Sequence, residues 1–219
     1  MAKGRWVALA ALAGALLPGV ASAQTAYEGQ VLAVLNAVRA DPAGFAEKLR
    51  TFRGYFHGTS YVVPGRMERN ITEEGVGAVD EAIAFLARQR TLRPMSPADT
   101  LADAAADHVA EQGGVGSVGH GGEDGSSPGD RVRRHGGGDY VAEVIEYGAS
   151  DPVDAVRQLI VDDGVPDRGH RSILFDPSLR FAGVSCGQHR AYRTMCVIDF
   201  GVERDGRERP GMEMAAIGQ

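Results

Sequence analysis

The chain has 219 residues, 43% hydrophobic and 24% charged, with a net charge of −6 at pH 7. That supports one core of ordinary domain size, and it argues against a nucleic-acid surface, which needs grouped Lys and Arg to meet phosphates. The one basic cluster, Arg131, Arg133, Arg134 and His135, is diluted by Asp130 and Asp139 and reads as a solvated helix face.

At the N-terminus, Lys3 and Arg5 precede an apolar run from Trp6 to Leu17, and Ala21-Ser22-Ala23 supplies small residues for cleavage. The run, about 12 residues, falls short of the ~20 that a spanning helix needs. Residues 1–23 therefore read as a signal peptide, with the mature chain starting near Gln24 and the protein secreted or periplasmic. Losing Lys3 and Arg5 makes the mature chain two charges more acidic. No later stretch is long and apolar enough to span a membrane.

Val31, Val34, Leu35 and Val38 recur at helical spacing, which predicts an amphipathic helix from Ala26 to Arg39. Asp41-Pro42 gives an N-cap and a first-turn proline for a second helix through Lys48. Residues 54–74 show no sustained period and read as a long surface loop. Val79, Ile83 and Leu86 mark a helix over 75–89. Ser96-Pro97 is expected to open the next one, with Leu101, Ala105, His108 and Val109 as its stripe. On that apolar face His108 reads as a buried histidine bonded to a backbone carbonyl.

Residues 112–129 are glycine-rich but carry His120, Glu123 and Asp124, and Asp130 opens a short helix after them. No P-loop lysine is present and the glycine spacing is wrong for a dinucleotide fingerprint. From Tyr140 the period changes to two. Val141, Glu143, Ile145 and Tyr147 share one face of a strand, and Ala142, Val144 and Glu146 the other. Glu143 among apolar neighbours must be paired or hydrogen-bonded, and a sheet covered on both sides raises the same question for Glu146.

Ser150-Asp151-Pro152 caps a helix whose stripe is Val153, Val156, Leu159 and Ile160. It breaks at Asp162-Asp163-Gly164, loops through Pro166, and re-enters a helical turn at Gly169-His170-Arg171. Phe181–Cys186 and Thr194–Phe200 form a hairpin, which places Cys186 and Cys196 on adjacent strands and predicts a disulfide. That pairing takes both thiols out of catalysis. The chain after Val202 lacks periodicity, and residues 204–219 read as a flexible tail.

These motifs in this order resemble the CAP superfamily, which embraces the cysteine-rich secretory proteins, antigen 5 venom proteins and pathogenesis-related plant proteins and shares the SCP domain. The resemblance covers Val31 to Gly201 and rests on three segments. They are GHGGEDGSSPGDRV; AEVI, where the family has Gly-Glu-Asn-Ile; and RGHRSIL, where it has Gly-His-Arg-x-Asn-Ile-Leu. The resemblance implies an α+β fold, a three-layer α-β-α sandwich over residues 24–203, with a cleft holding two histidines and two acids. By position these are His120, Glu143, a helix-end acid and His170. The family register favours Asp162 for that acid, whereas helical projection puts Asp163 nearer the Val156 stripe, and both remain open. Val144 and Ile173 stand where asparagines are usual, Leu159 replaces a tryptophan, and the helix-end aspartate replaces a longer glutamate.

Such a cleft allows three readings. His120 and His170 with one carboxylate would hold a divalent cation, Zn or Mg. Glu143 would serve as base in acid–base hydrolysis; no serine sits in a nucleophile elbow, since Ser126 and Ser127 beside Pro128 suit a turn. Or the charges satisfy one another in a recognition surface for a small lipid-like ligand or a protein partner. The last is the expected function, a secreted binding module requiring no cofactor, and a metal-assisted hydrolase is the alternative. His57, His108, His135 and His189 lie outside the expected site.

Overall fold

The computed structural model describes the backbone of residues 18–209 and the side chains of residues 25–209. Positions 1–17 of the expected signal segment and 210–219 of the expected tail lie outside the described residues. Helix α1 (Pro18–Ala40) buries Val31, Leu35 and Val38, and its backbone is helical N-terminally of the expected start at Ala26. Helix α2 (Pro42–Arg53) begins as its sequence predicts. The Asp41 carboxylate accepts from the Gly44 N–H at 2.8 Å, and Pro42 fills a position whose N–H would have no partner.

The segment expected as an irregular loop contains a small antiparallel sheet, β1 (Phe56–His57), β2 (Ser60–Tyr61) and β3 (Asn70–Ile71). Its physical reason is aromatic. Phe56 and Tyr61 oppose each other in register with ring centroids 5.0 Å apart, and Phe52 of α2 packs edge-on to both. Helix α3 (Val76–Leu86) follows. Ser96-Pro97 does not open a helix. It forms β4, parallel to Phe181-Ala182, while helix α4 (Asp99–Val115) starts beyond it. Proline is tolerated on this edge because the flanking N–H groups of Ser96 and Ala98 make the bonds, to Arg180 O and Ala182 O.

The main sheet is completed by β5 (Val141–Tyr147), β6 (Phe181–His189) and β7 (Arg193–Gly201), in the order β4-β6-β7-β5. β5 is thus an edge strand. The alternation along it is real and both sides are covered. Ala142, Val144, Ile198 and Phe200 face a core built with α1, α2, α3, α6 (Pro152–Val161) and α7 (Gly169–Leu174). Ile145, Met195 and Val197 face Ala105 and Val109 of α4. This is the α-β-α sandwich that the resemblance implied. Cys186 and Cys196 are bonded across β6 and β7.

Two further segments differ from expectation. Helix α5 (Pro128–Arg134) is capped by a reciprocal Ser127–Asp130 box, and it is not wholly solvated, because Arg131 is fully buried while Arg133 and Arg134 are exposed. The chain after Val202 does not fray at once. Asp205 O and Gly206 O accept from the Gly138 and Tyr140 N–H groups, and Gly206 is buried. The irregular sequence hid this docking because its partners are backbone atoms. Among the described residues no helix is long and apolar enough to cross a membrane.

Candidate functional site

His120 follows a glycine held from both sides. The Gly119 N–H donates to Tyr147 Oη at 2.9 Å, and its carbonyl accepts from Gln112 at 2.6 Å and meets His108 Nε2 at 2.9 Å. Gly119 has φ +103°, open to glycine at no steric cost. His108 is therefore the buried, carbonyl-bonded histidine of the sequence reading. His189, also buried, braces the same loop through Ser117 O at 2.8 Å.

The half-exposed His120 donates from Nδ1 to Glu143 Oε1 at 2.8 Å, and Arg131 Nη2 reaches Glu143 Oε2 at 2.6 Å. Glu143 and Arg131 are both buried. Sequence reasoning missed Arg131. Its signal was the i, i+3, i+4 stripe Pro128–Arg131–Val132, which turns this residue inward while its basic neighbours point out. Asp199 was missed too. It opposes Glu143 across β5 and β7 on the same side as Met195 and Val197. Complete burial, and then the charge of Glu143, push the Asp199 carboxyl well above its usual range.

The second histidine, His170, is held in the same way by a buried carboxylate. Asp162 ends α6 in the left-handed conformation, φ +58°, which aspartate tolerates better than most residues. There its buried carboxylate accepts from His170 Nδ1 at 2.6 Å and from the Arg171 N–H at 3.2 Å. Arg171 also clasps the end of α6, donating to Ile160 O and Val161 O. This separates the two aspartates. Asp162 belongs with His170, whereas the Asp163 carboxylate accepts from the Glu73 and Glu74 N–H groups at 2.7 and 2.9 Å and pins that loop.

A cavity of about 670 Å³ lies beside the edge strand, bounded by the small sheet, α6 and the β6–β7 turn. Phe52, Phe56, Tyr61, Leu159 and Val161 give it an apolar wall; His170, Asp162 and Asp163 stand at its polar part. Ile145, Glu146 and Tyr147 of β5 line it, but His120 and Glu143 do not. The expected four-group hollow is thus two histidine–carboxylate pairs, one of them in the cavity. Among the described residues no group of three or more His, Cys, Asp or Glu side chains is placed to hold a metal ion.

The family model described as "Cysteine-rich secretory protein family", CAP, matches residues 32–200. No curated protein matches the chain. Among solved structures, an extracellular protein containing a SCP domain from Bacillus anthracis str. Ames is 22% identical with a TM-score of 0.43, over 57% of this chain and 40% of that one. An outer surface protein from Borrelia burgdorferi is 17% identical with a TM-score of 0.41, over 50% of this chain and 77% of that one.

Proposed function

Because the chain belongs to the cysteine-rich secretory protein (CAP) family, we propose that it is an exported binding module whose cavity beside β5 takes a small ligand with an apolar body. The observation that supports this is the cavity itself. It has the size typical of small-molecule sites, about 300–1,000 Å³, and combines an aromatic wall with a few fixed polar groups. Its histidine is already oriented by Asp162, so a ligand would meet a prearranged polar end at little ordering cost. Lipids and sterols are the classes that the apolar wall suits best. Native mass spectrometry and solvent extraction of the purified protein test this. A co-purifying small molecule is expected, and Leu159→Trp, which fills the cavity, should lose it. Retention of the same molecule by a folded Leu159→Trp protein would remove the cavity from the account.

The alternative, a metal-assisted hydrolase with His120, His170 and Glu143, draws support from one observation. Both imidazoles have Nδ1 held by a carboxylate, an orientation that leaves Nε2 for a ligand or a proton. Zinc titration separates the readings. The binding module should give no heat that depends on His120 and His170. Heat lost in the double alanine variant, with peptide or ester turnover lost in Glu143→Gln, would establish the hydrolase instead.

A further inference from the structure

Glu146 has no role in either histidine pair, yet it lines the cavity with only 3% of its surface exposed. Neither carboxyl oxygen has a hydrogen-bond partner; the Ala149 amide lies near but out of bonding geometry. An orphaned buried carboxyl is costly in isolation, and the groups around it do not relieve it. Asp154 of α6 faces it with the same charge, and Tyr27 of α1 faces it without one. The neighbouring cations are committed elsewhere. Arg157 is paired with Asp154 and lies over the Phe52 ring, and Arg193 is paired with Glu68. Asp162 is taken by His170, and Asp163 by the backbone of Glu73 and Glu74. The cavity therefore offers one unmatched acid among aromatic rings, which themselves favour cations.

We propose that Glu146 makes this cavity a site for a protonated primary amine carried on an apolar body. The inference rests on the reading of the cavity as a ligand site and adds the ligand's charge. Burial, reinforced by Asp154, pushes the Glu146 carboxyl up to about 8. At neutral pH it is accordingly a neutral acid. When the ammonium group arrives, the carboxyl ionises, its proton leaves to solvent, and the two charges pair inside the cavity.

The test uses the whole protein and three ten-carbon probes, decylammonium, decanol and decanoate, in isothermal titrations at pH 6 and pH 8. Buffers of different ionisation enthalpy count the protons. Decylammonium should bind at least tenfold tighter than the other two at pH 8. Its affinity should rise by tenfold or more between the two pH values, because the ionised fraction of such an acid climbs about tenfold per pH unit below its midpoint. About one proton per ligand should be released at pH 6. Glu146→Gln is isosteric with the neutral acid, so it should fold normally while losing both the preference and the pH slope. The His170–Asp162 pair is unchanged in that variant, so a slope surviving there would overturn the assignment. Tighter binding of decanoate or decanol would also overturn it, yet leave the cavity a ligand site. Failure of all three probes would overturn it as well, with the co-purification experiment deciding the broader reading separately.

Discussion

One carboxylate, Glu143, answers to His120 at the surface and to Arg131 in the interior. Removing the guanidinium leaves a buried charge without its partner, which typically costs about 3–5 kcal/mol. Arg131→Ala is therefore expected to lower urea stability by that order and to release the His120 ring, seen as a changed imidazole NMR signal. Glu146 acts in the opposite sense. Its folded value of about 8 lies above its usual 4.5, so between these limits the folded protein keeps a proton that the unfolded chain has released. Stability must then fall as pH rises from 4.5 towards 8, by at most about 1.4 kcal/mol per pH unit for one group. Glu146→Gln should match the wild type near pH 4 and exceed it at pH 8 in denaturant midpoints; parallel profiles would show that Glu146 is not held neutral. At this scale the sequence revealed residues fixed by motif and parity, namely His120, Glu143 and His170. Arg131 and Asp199 escaped because their meaning depends on which neighbour is opposite them in space. A basic run and a strand acid look alike whether or not a counterpart is waiting.

The elements were legible where local chemistry decides them. Asp41-Pro42 and Asp151-Pro152 start helices, and the alternation of 141–147 makes a strand, since caps and period act within a few residues. The two-residue strands β1 to β4 were illegible, because pairs so short have no period and exist only through their partners. The choice between Asp162 and Asp163 was undecidable for a related reason. A helical wheel cannot foresee that α6 ends in a left-handed residue, which re-aims both side chains. Asp163→Ala should leave the His170–Asp162 pair in place and speed hydrogen exchange at the Glu73 and Glu74 amides, whose acceptor it removes. Unchanged exchange there would mean that the loop is held by the Arg168 contacts to Glu74 and Glu81 and by the Gly164 N–H donating to Glu74. The Cys186–Cys196 bridge closes a span of only 10 residues, so its replacement by two serines should cost about 2–3 kcal/mol rather than abolish folding.

Across the whole molecule, a sheet roofed by helices on both sides turns strand parity into an address. Glu143 and Glu146 are an odd number of positions apart on β5, and so they serve different compartments. One joins the α4–α5 side with Arg131, and the other joins the cavity under α6. Arg39 shows how firmly the layers are tied. Its buried guanidinium donates to the carbonyls of Arg93, Leu174 and Asp176, and burial draws it down to about 10. The architecture could be read in advance because several motifs agreed in order. The cavity could not, since its wall is assembled from α2, β2, β5 and α6 rather than from any one run of sequence. The separation of the two acids along β5 is constrained to stay odd. One residue inserted there would send both carboxyls to the same storey of the building, leaving either an imidazole without its anchor or a chamber without its uncommitted acid.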